Sequence, residues 1–375
     1  MEEKKKFKKK IKKINSSYIK GINKINKKHI KKQKPNYKSL NSFKSYKMNK
    51  FMKIILIFIL IFILLYALYI FIFRLHYLKK NIIPVAFALN NDFTLPLIVT
   101  LTSVLYNADK NTFYIFHIMI AEDFLEYNKK KIIGLNKKFN NFKIIFLDLK
   151  DKYKGWSTHG YYDISTYYRL SLSDLIFDFD KIIYLDCDTL VHKDLSEMYN
   201  LEMNNYYYMG IPNLEIRDTV INGTRNFIGA GVMLINLKEL RRLNATNLFV
   251  QYYNAHGTKK VDEYLINVVF CRNIGFLPLK FGLPDFHTSL FSVETFYKKF
   301  RGYLKIPLEE FIKASNDPSI THNNYTLKKW WTHHFSSLSN IGKKWIFYAS
   351  KSNILSDVCQ QYTKYKEICD LLGQK

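Results

Sequence analysis

Two carboxylates, Asp186 and Asp188, close an apolar run at residues 181–191, KIIYLDCDTLV, with one cysteine between them. Side chains alternate along a strand, so an extended chain here sends both acids to one side and Cys187 to the other. Paired oxygen ligands suit hard divalent ions such as Mg²⁺ or Mn²⁺, which commonly bridge a protein to phosphate groups. The plainer reading is a solvated strand end. Position favours the first, because ligands of open α/β sheets gather at the carboxyl ends of strands. A second stretch at residues 320–331, ITHNNYTLKKWW, offers His322 as a neutral imidazole ligand and Lys328 as a phosphate-directed charge, with Trp330 and Trp331 adjoining. One histidine or one lysine means little in this chain. The order of acidic pair, small-residue strand, acidic helix start, then His and Lys is what makes a pattern.

The elements that must position these groups can be read from periodicity. Residues 82–89 form an apolar run of strand length, with Pro84 near its start, and end in Asn90, Asn91 and Asp92. A helix is expected at 95–106, a strand at 113–120, a polar helix at 122–138 and a strand at 142–147. Strands alternating with helices imply parallel βαβ units. Residues 165–177 read as a helix packed ahead of the central strand at 182–185, with Arg169 either a surface charge or a residue aimed at the site. Residues 227–237, FIGAGVMLINL, read as a buried strand whose Gly229 and Gly231 invite close backbone approach. Helices follow at 243–253 and 263–270, the second with Asp262 as its expected N-cap.

At 375 residues, with 48% hydrophobic and 16% aromatic side chains, the chain has ample material for a core. Of its net charge of +27, residues 1–50 carry +17 from 19 Lys against two Glu, so the remainder carries +10. That distribution, in a chain rich in Lys and Asn throughout, does not mark a nucleic-acid binder. Residues 1–50 are expected to be a Lys-rich mobile tail. Residues 54–73 are uncharged and apolar, and twenty such residues span about 30 Å as a helix, enough for a bilayer core. The run is too long for a cleaved signal peptide. A single transmembrane anchor is therefore expected at 51–74. The excess of Lys before it places the tail in the cytoplasm and the folded part on the far side. Cys187, Cys271, Cys359 and Cys369 form no CxxC pair and no zinc spacing. Cys359 and Cys369 can pair only if a helix between them breaks.

The ordered motifs FALNND at 87, STYYRL at 165, YLDCDTLV at 184, GAGVMLINL at 229, DEYLIN at 262 and THNNYTLKKWW at 321 resemble glycosyltransferase family 8. The resemblance covers about 82–331. It implies an α/β fold of the nucleotide-diphospho-sugar transferase type, GT-A-like, with a central, mostly parallel sheet. It implies a catalytic domain at 81–335 and leaves a helical extension at 336–375. It further implies a retaining transferase of glucose or galactose, a UDP-sugar donor, a Mn²⁺ ion with Mg²⁺ as the other fitting choice, and a glycan, glycolipid or lipopolysaccharide acceptor. By the same resemblance Asp186, Asp188 and His322 hold the metal and Lys328 contacts the diphosphate. Ala88, Asn90 and Asp92 hold the nucleotide. Arg169 lies near the donor, and Asp262 and Glu263 lie beneath the donor sugar.

The chain also departs from the family. Gly229-Ala230-Gly231 stands for Asn-Ala-Gly, which removes a side-chain hydrogen bond to the donor sugar. Tyr325-Thr326 replaces the glycine-proline that follows the metal histidine. Glu263 stands where the family often has Gln or Asp. A carboxylate there leaves two mechanisms open, nucleophile in a double displacement or stabiliser of an oxocarbenium-like state. Location is open too, since charge favours a lumen or periplasm whereas the motif wording is bacterial, where UDP-sugars are cytosolic. Sequons at Asn222, Asn244 and Asn324 permit a lumenal site. The C-terminal extension is either a packed helical cap or a surface for lipid or acceptor. Two rival functions stand beside the transferase: a sugar-nucleotide binder without turnover, and a membrane-tethered basic protein.

Overall fold

The computed structural model describes residues 50–78, 80–158, 162–213, 227–258, 261–283, 293–295, 297–298, 306–322, 340–362 and 369–370. The chain divides into two units, Met1–Arg74 and Leu75–Lys375. Helix α1 (Lys50–Leu78) is long and apolar enough to cross a membrane over Lys50–Ile70, which lies in the first unit. The Lys-rich tail at 1–49 lies outside the described residues.

The second unit is built on a seven-stranded sheet. Its strands are β1 (Asn81–Ala88), β2 (Thr112–Ile120), β3 (Phe142–Asp148), β4 (Ile182–Leu185), β6 (Tyr208–Pro212), β7 (Ile228–Ile235) and β8 (Ile274–Phe276), in the order β3-β2-β1-β4-β7-β6-β8. Only β7 runs against its neighbours, so the sheet is mostly parallel. A sheet covered on both faces has strands that are apolar throughout. All four residues of β4 are buried, and their side chains divide between two cores as the pleat requires. Ile183 and Leu185 join Val85, Phe87 and Leu234 on one face, whereas Ile182 and Tyr184 join Ala86, Met233 and Ile235 on the other. The first face is covered by helix α2 (Thr94–Tyr106), buried from Thr94 to Leu105. Pro96 is tolerated there because first-turn amides have no intrahelical partner.

A second, two-stranded sheet pairs β5 (Thr189–Val191) antiparallel with β9 (Ile320–His322). This pairing was not foreseen from the sequence. Three further expectations are corrected. The helix expected at 122–138 is shorter: α3 (Glu126–Ile133) ends at Gly134, followed by a 3₁₀ turn at Gly134–Lys137. The helix expected at 165–177 is a 3₁₀ helix, Ile164–Ser171, with only Leu172–Leu175 in α form. There the Asp163 carboxylate accepts the Ser165 amide and fixes a tight start. Downstream come α4 (Ala245–His256) and α5 (Val261–Val269), and Asp262 falls inside the first turn of α5 rather than capping it.

The C-terminal helices α6 (Asn340–Lys351) and α7 (Leu355–Gln361) pack onto the α2 side of the core. Ile341, Trp345, Ile346, Tyr348 and Ala349 are buried, leaving Phe347 and Lys351 outward. Helix α7 stops at Gln361, and beyond it Cys369 returns to form a disulfide with Cys359, Cα–Cα 5.9 Å.

Candidate functional site

The acidic pair lies in the turn between β4 and β5. The Asp186 amide donates to Gly231 O at 2.7 Å, and Asp186 O accepts from the amide of Thr189 at 3.2 Å and its hydroxyl at 2.9 Å. The next stretch is fastened by a polar stripe at helical spacing along α2 and its C-cap, buried at Thr100 and Ser103 and half-buried at Asn107. The single hydroxyl hydrogen of Thr100 is shared between Cys187 O, at 2.8 Å from Oγ1, and Thr189 O, at 2.7 Å. Ser103 Oγ accepts the Val191 amide at 3.0 Å, and Asn107 Nδ2 donates to Val191 O at 3.0 Å. With β5 held this way, its pairing with β9 sets His322 opposite Thr189.

The result is a three-residue cluster. One ligand atom from each of Asp186, Asp188 and His322 lies within 4.8 Å of the others. His322 Nε2 is 3.3 Å from Asp188 Oδ1 and 3.7 Å from Asp186 Oδ2. Burial by itself would lower the pKa of His322, but the two carboxylates outweigh it and raise the value. A Cβ at Gly231 would fall 2.1 Å from His322 Cε1 and 2.6 Å from Asp186 Oδ2. The strand thus gives up a side chain to make room for the cluster. Two carboxylates with one imidazole form a mixed hard and borderline donor set, which fits Mn²⁺ and is less suited to Mg²⁺, with its preference for oxygen and water.

Arg169 is not a surface charge. It is 7% exposed and reaches the same cluster, with Nη2 3.0 Å from Asp186 Oδ1 and Nε 3.0 Å from Asp262 Oδ2. It also donates to Thr166 O and Ala230 O and lies over the Tyr184 ring. Burial opposes its charge, yet Asp186 and Asp262 hold its pKa above the usual value. Asp262 is itself 3% exposed. Burial pushes its carboxyl up to about 6, against the pull of Arg169. Its Oδ2 is close to Arg169 Nε but off the line of that N–H, so it accepts no hydrogen bond.

Glu263 projects toward β7. Its Oε1 accepts from Asn213 Nδ2 at 2.7 Å, and its Oε2 receives a longer bond from the Ala230 amide at 3.4 Å. Asn267 Nδ2 donates to the Glu263 carbonyl at 2.8 Å, and its side chain also bonds the Ile228 amide and carbonyl, tying α5 to β7. A Cβ at Gly229 would meet nothing nearer than Glu263 Oε2 at 3.8 Å, an ordinary contact. At the end of β1, Ala88 O lies 3.5 Å from Cys187 Sγ, and Asn90 Oδ1 accepts the Asp92 amide at 3.1 Å to cap a 3₁₀ turn. Asp92 is exposed on that turn. Asn90 is therefore partly engaged in shaping its own loop. Lys328, Trp330, Trp331, Tyr325 and the sequons at Asn222 and Asn324 lie outside the described residues; Asn244 is exposed. Sequence reasoning missed Asn213, Asn267 and the Thr100, Ser103 and Asn107 stripe. The i, i+3, i+7 spacing of Thr100, Ser103 and Asn107 along a mostly apolar helix and its C-cap was the available signal for the last.

Residues 84–306, more than half of the chain, match the family described as Glycosyl transferase family 8. The chain is 27% identical over 197 residues to a Haemophilus influenzae protein named as a glycosyltransferase, the match covering 49% of this chain and 58% of that one. It is 22% identical over 284 residues to a lipopolysaccharide 1,2-glucosyltransferase of Escherichia coli, covering 67% of this chain and 80% of the relative. The fold is similar to that of the galactosyltransferase LgtC, solved with donor and acceptor sugar analogues. That likeness has a TM-score of 0.59 and 21% identity, over 72% of this chain and 96% of LgtC.

Proposed function

The chain belongs to glycosyl transferase family 8, and from that premise we propose that it is a membrane-anchored, metal-dependent, retaining hexosyltransferase. It moves glucose or galactose from a UDP-sugar to a glycan, glycolipid or lipopolysaccharide-type acceptor. The observation that carries this reading is the Asp186, Asp188 and His322 cluster, set at the carboxyl end of β4 with Gly231 cleared beside it. A sugar nucleotide leaves as a diphosphate, so catalysis must neutralise charge on phosphate oxygen. Asp186, Asp188 and His322 would hold a divalent ion, Mn²⁺ by the donor set, which when bound supplies Lewis-acid stabilisation of that charge. Lys328 adds a second positive contact to the diphosphate in this reading.

Arg169 fixes Asp186 from behind and balances the charge of Asp262. Glu263 lies beneath the donor sugar. Hydrogen bonds from Asn213 and Ala230 occupy both of its carboxylate oxygens and reduce its nucleophilicity, which favours electrostatic stabilisation of an oxocarbenium-like state over covalent attack. Ala88, Asn90 and Asp92 at the end of β1 receive the nucleotide. The trans-membrane arrangement has the Lys-rich tail in the cytoplasm and the catalytic unit on the far side. The charge asymmetry around α1 supports it, as does the Cys359–Cys369 disulfide, a bond that persists in oxidising compartments.

The test is UDP release by the full-length protein in detergent, across a panel of UDP-hexoses, with Mn²⁺ and with chelator. Turnover of one donor that chelator abolishes is the expected result. Turnover indifferent to chelator contradicts the metal-dependent reading, and absence of turnover with every donor and a range of glycan acceptors contradicts the transferase reading.

A further inference from the structure

His322, the third member of the metal cluster, stands on a strand of three residues beyond the family match at 84–306. Such a strand has few ladder bonds of its own to hold a ligand still. Side chains alternate along it, so His322 faces the acidic pair while Thr321 faces away. On that far side Thr321, 1% exposed, meets His192, whose Nε2 is 3.0 Å from Thr321 Oγ1. The other ring nitrogen, Nδ1, is 3.4 Å from the hydroxyl of Tyr348, which lies on α6 in the C-terminal extension. Asn107 Nδ2 donates to that same hydroxyl at 3.0 Å, and the His192 amide donates to Ser319 O at 2.8 Å.

These contacts admit a consistent direction of donation. An amide N–H can only donate, so the Tyr348 oxygen accepts from Asn107 and directs its own hydrogen at His192 Nδ1. A neutral imidazole accepting at Nδ1 carries its proton on Nε2, and that N–H donates to Thr321 Oγ1. Burial, with Lys344 and Lys193 nearby, holds His192 in the neutral form this chain requires.

We infer that His192 is a positioning residue for the metal site, and that α6 braces β9 through the chain Asn107, Tyr348, His192 and Thr321, so that the C-terminal extension fixes where His322 stands. This rests on the proposed metal-dependent function for its catalytic meaning, but the brace itself is a property of β9. Residues supporting a metal ligand from behind are worth about 10- to 100-fold in metal affinity.

The experiment compares full-length wild type with Tyr348→Phe, His192→Asn and His192→Gln, measuring Mn²⁺ affinity in the presence of UDP, melting temperature, and hydrogen exchange of the 320–322 amides. Glutamine places an N–H near the Nε2 position and asparagine only near Nδ1. The inference expects Tyr348→Phe and His192→Asn to weaken Mn²⁺ binding about tenfold and to speed exchange at β9, with His192→Gln close to wild type. Unchanged exchange at 320–322 in both Tyr348→Phe and His192→Asn overturns it. So does equal loss in all three variants, or a fall in melting temperature with metal affinity intact. If wild type binds no Mn²⁺, the functional reading fails separately, and the exchange data still decide the brace.

Discussion

At residues 186, 188 and 322 the reactive groups stand on backbone that is pinned in several places: a turn bonded to Gly231, a strand whose backbone is held by the Thr100, Ser103 and Asn107 side chains, and a two-stranded pairing that delivers His322. At residue 263, beside the same strand β7, the carboxylate accepts from the Asn213 side-chain amide and, over a longer distance, from the Ala230 amide, and a Cβ at Gly229 would meet it only at ordinary contact distance. In the proposed function, the end that would meet the diphosphate is thus held by several elements pinned to one another, whereas the end that would meet the sugar depends more on individual side chains.

The contrast between the two glycines of β7 is the sharpest way to test this. Gly231→Ala drives a methyl group into His322 and Asp186. Several kcal/mol of charge stabilisation depend on that cluster, so transfer should fall by about 10³-fold. Overpacking should also destabilise the fold by about 1–3 kcal/mol. Near-normal kinetics in this variant would show that the cluster is not the phosphate site.

Next in size is a pH effect at Asp262, whose folded pKa is raised to about 6. A carboxyl raised above its unfolded value of about 3.9 favours the fold when protonated. That contribution is present below about pH 4 and is lost as pH rises through about 6. The gap in unfolding free energy between wild type and Asp262→Asn should therefore shift by about 3 kcal/mol between pH 4 and pH 7, read by denaturant titration at each pH. A pH-independent gap would mean that Arg169 neutralises the burial.

Ser103→Ala leaves the Val191 amide without its side-chain acceptor and should cost about 1–3 kcal/mol. Transfer by the folded enzyme should fall with it as β5 loosens. The smallest effect belongs to Gly229→Ala, whose methyl fits beside Glu263. Stability should hold or rise by about 0.5–1 kcal/mol, since glycine in a strand costs about that much. Mn²⁺ affinity should stay the same while the KM for the donor sugar changes. A large loss of metal binding here would erase the distinction between the two ends.

Much of this was legible in the sequence because it rests on local rules. The strand at 182–185 announces itself as an apolar run cut off by two acids, and β7 by its small residues set among large apolar ones. What was not legible depends on long-range pairing. Residues 320–322 are too short to carry a strand signature, and it is pairing with the distant β5, together with a bridge to Leu283, that makes them a strand. Arg169 offered two readings because exposure is a tertiary property. The 3₁₀ form of 164–171, capped by Asp163, is not distinguished from an α-helix by apolar spacing, and the spacing alone suggested an α-helix. Asn213 follows β6 with no motif around it, so only its contact with Glu263 reveals it.

In the proposed function Asp186, Asp188 and His322 together receive the ion that meets the diphosphate. The most direct test is Mn²⁺ binding to the full-length protein with UDP, followed by the loss of the free-ion paramagnetic resonance signal, for wild type, Asp188→Asn and His322→Ala. Tight, UDP-enhanced binding by wild type that both substitutions weaken at least tenfold, with melting temperatures preserved, is the predicted result. Equal binding in all three proteins would contradict it.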